Sequence, residues 1–194
     1  MILFRKIPAY PLTPETGSTF AYLGRITKQE YDPPSFHPGA VHPETPVVMH
    51  STLRRAAESL HRETSCIYIP TPELNEVPFS LVDMCSETEW EHEKSVVVRR
   101  RFIEAFTHDR LPLSHRELEQ QLRAVLLQAL DYPSVTLISH SFRLKLLQGF
   151  LMMRGRLFTH PEDIRLVIDE HQKTFGWGEG FETTRAAILE ACST

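Results

Sequence analysis

The stretch Val135-Thr136-Leu137-Ile138-Ser139-His140 runs almost directly into Phe142-Arg143-Leu144-Lys145-Leu146-Leu147-Gln148-Gly149-Phe150-Leu151-Met152-Met153. Its first half is a short branched apolar run without polar alternation, the pattern of a strand covered on both faces in a parallel sheet. Its second half is strongly apolar, as expected of a helix packed on that sheet. The same succession occurs earlier. Val47-Val48-Met49-His50 leads into Ser51-Thr52-Leu53-Arg54-Arg55-Ala56-Ala57-Glu58-Ser59-Leu60, where Leu53, Ala56, Ala57 and Leu60 share one helical face. Strand followed by helix, twice, predicts an α/β domain built from βαβ-type units. Ile2-Leu3-Phe4 and Cys66-Ile67-Tyr68-Ile69 read as two further strands.

Between these anchors the chain is helical and charged. Residues from about Glu87 to Phe106 carry Trp90, Val97, Phe102 and Phe106 among acids and bases. Ser114-His115-Arg116-Glu117 is a capping box ahead of Leu118, Leu122, Val125 and Leu126, and its helix should stop near Asp131-Tyr132-Pro133. Thr159-His160-Pro161-Glu162 opens another helix with Ile164, Val167 and Ile168 inside. Gly176-Trp177-Gly178-Glu179-Gly180 reads as a turn in which Trp177 packs in the core or anchors the turn, and Glu182 to Cys192 reads as a terminal helix. Tyr31 to Pro46 holds five prolines in sixteen residues, so an irregular loop is expected there.

The whole chain, residues 1–194, is the size of a single domain, and 41% hydrophobic residues suffice for a substantial core. With 21 Lys+Arg against 25 Asp+Glu the net charge is −4, and no basic block stands out. Nucleic acid and anionic membrane are therefore not expected partners. No apolar run reaches the roughly 20 residues of a membrane span. The opening Met1-Ile2-Leu3-Phe4-Arg5-Lys6 puts its charges after its apolar residues, the wrong order for a secretory signal. Cys66, Cys85 and Cys192 share no short spacing, which argues against a disulfide framework and a cysteine zinc site, and for the cytoplasm. None of the ten histidines forms a His-x-x-x-His pattern, so neither a metal nor a cofactor is expected.

Ligands of open α/β sheets bind beyond the carboxyl ends of the strands. The residues expected there are Arg5-Lys6, Ser51 to Arg55, and Ser139-His140, with Leu74-Asn75-Glu76 in a loop soon after the third strand. Guanidinium groups suit a phosphate, and a helix start at Ser51 adds N–H donors. A basic pair in a helix's first turn opposes the dipole, which itself favours a bound anion. The residues thus describe a phosphate-sized anion pocket with one nearby carboxylate. Each also has a plainer reading: Arg54 as solvated surface, Arg5 as a cap on the sheet end, His140 as a core histidine, Glu76 as a surface loop acid. His50 precedes Ser51, but strand alternation points it the other way.

On these residues the chain resembles the histidine phosphatase superfamily, the phosphoglycerate mutase-like proteins. Arg5 matches the arginine of that family's opening Arg-His-Gly motif, and Ser51-Thr52-Leu53-Arg54-Arg55-Ala56 is similar to its Ser-x-Leu-x-Arg-Ala segment. Leu74-Asn75-Glu76 resembles the mutase segment bearing the acid/base glutamate, and Val135 to His140 resembles the late strand ending in histidine. The resemblance spans residues 1 to about 150. It implies a three-layer domain with a mainly parallel sheet, phosphate binding by Arg5, Arg55 and His140, and catalysis by Glu76, His140 and the residue at position 6.

That residue is the departure. Lys6 stands where the family has its phosphate-accepting histidine, and an ammonium is no nucleophile. Lys6 reads as an anion ligand, as an amine made nucleophilic by a lowered pKa, or as surface. The helix that normally precedes the second strand is expected to be replaced by the proline-rich loop. The implied partner is an anionic small molecule such as a phosphate ester, with phosphomonoesterase activity weak or lost. The alternatives are a non-catalytic ligand- or protein-binding relative and an enzyme that uses Glu76 and the cationic pocket for other chemistry. A partner-binding module built on Arg99, Arg100 and Arg101 is a third.

Overall fold

The computed structural model describes residues 1–8, 17–170 and 175–193. In chain order the elements are β1 (Ile2–Lys6), α1 (Thr19–Thr27), β2 (Val47–His50), α2 (Arg54–Ser59) and β3 (Ile67–Pro70). After a tight turn at Pro72–Leu74 come α3 (Leu81–Met84), α4 (Glu87–Glu93), α5 (Ser95–Thr107), α6 (His115–Ala129) and β4 (Val135–Ser139). The chain then forms α7 (Ser141–Met152), α8 (Pro161–Arg165), a wider π-type turn over Leu166–Glu170, β5 (Gly180–Thr183) and α9 (Arg185–Cys192).

The five strands lie in the order β3-β2-β4-β1-β5. The four strands expected from the sequence are parallel to one another, and β5 runs antiparallel along the edge beside β1. The chain is therefore an α/β protein with a mainly parallel sheet. Alternate strand residues face opposite cores. Ile2, Phe4, Val47, Met49, Val135 and Leu137 join the large core with Leu118, Leu122 and Leu126 of α6 and Leu144 and Leu147 of α7. Val48 and Ile138 face a smaller core with Ala56, Leu60 and Val41. Each of the fully buried aliphatic side chains contributes about 1.5–3 kcal/mol.

Three expectations change. The C-terminal helix starts at Arg185, where the Thr184 side chain caps it, and Gly180 to Thr183 form a strand instead. Phe181 stacks on Phe4 with ring centroids 4.3 Å apart. A Cβ at position 180 would lie 1.6 Å from the Phe4 carbonyl oxygen, so only glycine allows this edge to close. Secondly, a helix does precede β2: α1 is capped by Ser18, whose side chain accepts from the Ala21 N–H. Its Phe20, Leu23 and Ile26 pack with Leu81, Cys85 and Val97 in a third core. The proline-rich segment is irregular as expected, but it follows α1 rather than replacing a helix. Thirdly, the helical stretch from Glu87 breaks at Lys94, which takes a left-handed φ of 52° and divides α4 from α5. The capping box at Ser114 and Glu117 forms as expected. Among the described residues no helix is long and apolar enough to cross a membrane.

Candidate ligand cavity at the strand ends

A cavity of about 510 Å³ opens beyond the carboxyl ends of β1 and β4, roofed by residues of α1, α3, α4 and α5. Lys6, Arg55, Glu76 and His140 all line it. Four residues scattered from position 6 to position 140 thus meet where the strand-end rule places a ligand.

Arg5 does not join them. Successive strand residues point to opposite faces: Phe4, two before Lys6, faces the large core, and Ile138, level with Arg5, faces the smaller one. Arg5 instead lines a second hollow with Glu44 of the proline-rich loop. Its Nε and Nη2 donate to the two Glu44 carboxylate oxygens at 2.5 and 3.0 Å, and Nη1 donates to the Phe4 carbonyl at 3.0 Å. The expected convergence of Arg5 on the anion pocket is corrected accordingly.

The buried Arg55 donates through Nη1 to Asp32 Oδ1 at 2.9 Å. The other Asp32 oxygen accepts the Arg54 N–H at the first turn of α2. The anion that the basic helix start calls for is therefore present within the chain. Arg54 itself is exposed and pairs with Glu58, as its surface reading expected.

Glu76 is engaged in the same way. Its carboxylate accepts from the backbone N–H groups of Phe142 at 3.2 Å and Arg143 at 3.0 Å, capping the start of α7, and from Val77 N–H at 3.1 Å. The loop carrying it is fixed to the end of α1: Gln29 Nε2 donates to the Glu76 carbonyl at 2.6 Å, and Phe79 N–H to the Thr27 carbonyl at 2.9 Å.

Lys6 spends one of its three ammonium donors on the Phe175 carbonyl at 2.7 Å. Burial pushes its pKa below the ordinary lysine value, while the nearby Glu76 and Glu179 carboxylates work against that shift. His140 is different again. Ser51 Oγ donates its single proton to Asn75 Oδ1 at 2.7 Å, so the 2.9 Å contact between His140 Nε2 and Ser51 Oγ requires the imidazole to be the donor. Burial, and then the adjacent Arg55 and Arg143, hold its pKa well below the ordinary histidine value. His140 is a neutral ring with Nε2 protonated, so it adds a polar edge to the cavity and no charge.

Sequence reasoning missed two polar residues here, Asp32 and Arg143, and placed Asn75 at the rim without giving it a role. Arg143 is fully buried, donating through Nε to the Asn75 carbonyl at 2.8 Å and through Nη2 to Gln121 at 2.9 Å. Burial lowers its pKa to about 10 against the pull of Glu76 and Glu73. A lone arginine in the apolar run of α7 was the available signal. The apolar part of the lining was also missed. Phe102 meets Phe79 and Phe142 edge-on at 4.9 and 4.8 Å, and Trp90, Leu23 and Ile26 add to that lining.

The remaining candidates lie elsewhere or are otherwise engaged. Of the arginine run, Arg99 lines the cavity, Arg100 pairs with Glu93, and Arg101 grips Glu89 while donating to the Met84 carbonyl at 2.7 Å. Those three side chains do not form one basic face. Trp177 is exposed, 5.9 Å from the His37 ring, which corrects its core reading. His50 is buried, its Nδ1 bonded to the Ser51 carbonyl.

Fold and cavity together define an α/β protein with an amphipathic cavity at the carboxyl ends of its parallel strands. No protein-family model matches the chain, and neither does any curated protein or solved structure.

Proposed function

We propose that this cavity binds a small molecule with one anionic group and an apolar or aromatic body, and that the chain is a divergent relative of the histidine phosphatase superfamily. The observation that carries the reading is that Lys6 and Arg55 line the same cavity as the aromatic residues Phe79, Phe102, Phe142 and Trp90. The cations hold a phosphate or carboxylate, and the aromatic rings bury the body. Phosphomonoesterase activity is weak or lost, because Lys6 occupies the nucleophile's position and Glu76 is committed to the first turn of α7. That commitment favours ligand binding over acid/base chemistry.

Calorimetric titration with 1-naphthyl phosphate and with inorganic phosphate tests the reading, accompanied by a hydrolysis assay on the ester. The aryl ester should bind at least about tenfold more tightly than phosphate, since burying a ring adds more than the 1.4 kcal/mol that a factor of ten represents. Hydrolysis should stay near background. Equal binding of the two would remove the amphipathic ligand, and turnover at ordinary enzyme rates would remove the non-catalytic reading. Recovery of hydrolysis in Lys6→His would show that the rest of the catalytic set is in place.

A further inference from the structure

We infer that His42, His61 and Glu63 form a binding site for a zinc-like divalent ion, separate from the strand-end cavity. Each residue offers one ligand atom, and the three atoms lie within 4.8 Å of one another. Around a tetrahedral zinc with bonds of about 2.0–2.2 Å, neighbouring ligand atoms stand roughly 3.5 Å apart. All three side chains are exposed, so rotamer adjustments of about 1 Å close that gap. Two imidazoles and a carboxylate suit a borderline ion of the zinc type better than calcium or magnesium, which prefer all-oxygen shells. Three protein donors leave a fourth position for water, and the exposed setting keeps it accessible.

The backbone sets this convergence. A parallel bridge between Val41 and Leu60 ties the proline-rich loop to the segment after α2, with Val41 N–H donating to the Ser59 carbonyl and His61 N–H to the Val41 carbonyl at 2.8 and 2.9 Å. This places the His42 and His61 rings 4.5 Å apart. The Tyr68 hydroxyl then fixes the other arm, donating to the His61 carbonyl at 3.0 Å and accepting the Glu63 N–H at 2.8 Å. Arg62, the cation between the ligands, lies over the Tyr68 ring at 4.3 Å. Among the described residues, the His42, His61 and Glu63 side chains make no hydrogen bond or ion pair with one another or with any other group. The fold thus gathers three metal-ligating groups at one exposed point.

Zinc titration of the tag-free protein, by calorimetry and in competition with a chromophoric chelator, tests the site. The wild type should take up one equivalent. Glu63→Gln and His61→Ala should each weaken binding by more than about tenfold, because even outer-shell substitutions cost about 10–100-fold. The double variant His42→Ala/His61→Ala should lose the site altogether, whereas His92→Ala, an exposed histidine on α4, should bind as the wild type does. Circular dichroism should be unchanged throughout, since every substituted side chain is exposed. Absence of saturable binding in the wild type, or binding that survives the double substitution, would overturn the assignment.

Discussion

The starts of α2 and α7 both lie at carboxyl ends of parallel strands, and both meet a carboxylate supplied by the chain itself. At α2, a helix of six residues, Asp32 arrives from the proline-rich loop and divides its oxygens between one backbone N–H and the Arg55 guanidinium. At α7, a helix of twelve residues, Glu76 gives its carboxylate to two backbone N–H groups of the first turn. A phosphate site of this architecture normally uses such helix starts for the ligand. Here both are taken, one with a cation attached and one without. On the proposed reading, the ligand's charge falls to the cavity-lining cations Lys6, Arg55 and Arg99, and the aromatic residues add to the grip.

The largest effect is expected at Glu76. Glu76→Ala removes the cap of a long core helix and a compensating charge from the neighbourhood of buried Arg143. It should cost about 2–3 kcal/mol by urea unfolding. A loss below about 0.5 kcal/mol would mean that α7 does not depend on this carboxylate.

His140 lies between the two helices, its charged form opposed by an arginine from each. The unfolded imidazole takes its proton near pH 6.5, and the native one only at lower pH. The unfolded state therefore binds more protons as the solution is acidified, and stability declines below about pH 6.5 with a slope approaching 1.4 kcal/mol per pH unit for this one group. His140→Gln should flatten the pH dependence of the melting temperature between pH 7 and 5. Part of the slope will persist from His50, whose pKa burial also lowers. An unchanged slope in His140→Gln would contradict a neutral His140.

Asp32→Ala should be milder, at about 1–2 kcal/mol, because the helix it caps has only six residues. It carries a sharper signature as well. Added phosphate or sulfate should stabilise Asp32→Ala more than wild type, by filling the vacated helix start beside Arg55. Equal stabilisation of both would show that Asp32 does not occupy an anion position. Smallest of all, Arg5→Ala breaks a partly exposed pair with Glu44 and should cost under about 1 kcal/mol.

Much of the fold was legible because it rests on local patterns. The runs at Val47 and Val135 are short, branched and unalternating, helices follow both, and the Ser114–Glu117 box marks its helix start without outside help. Strand β5 was not legible. Its four residues, opened by Gly180 and interrupted by Glu182, are too few to carry a strand pattern, and it exists through pairing with β1 almost a whole chain away. The caps were hidden for the same reason. Asp32 lies 22 residues from the N–H it accepts, and Glu76 lies 66 from Phe142, so no spacing rule reaches them. The separation of Arg5 from Lys6 was within reach of the sequence, since a period of two sends neighbouring strand residues to opposite faces. Reading the strand as Ile2 to Phe4 put both residues beyond its end on one rim, whereas the strand runs on to Lys6 and its pleat parts them.

Whether an anion is held on the Lys6 side of the strand is decided by comparing the two residues of that adjacent pair. Binding of 1-naphthyl phosphate should be measured by calorimetry for wild type, Lys6→Ala and Arg5→Ala under one set of conditions. Losing a charge-assisted bond of about 1.5–3 kcal/mol should weaken binding to Lys6→Ala by at least about tenfold. Arg5→Ala should bind within about twofold of the wild type. Equal losses in the two variants, or a loss confined to Arg5→Ala, would contradict the account.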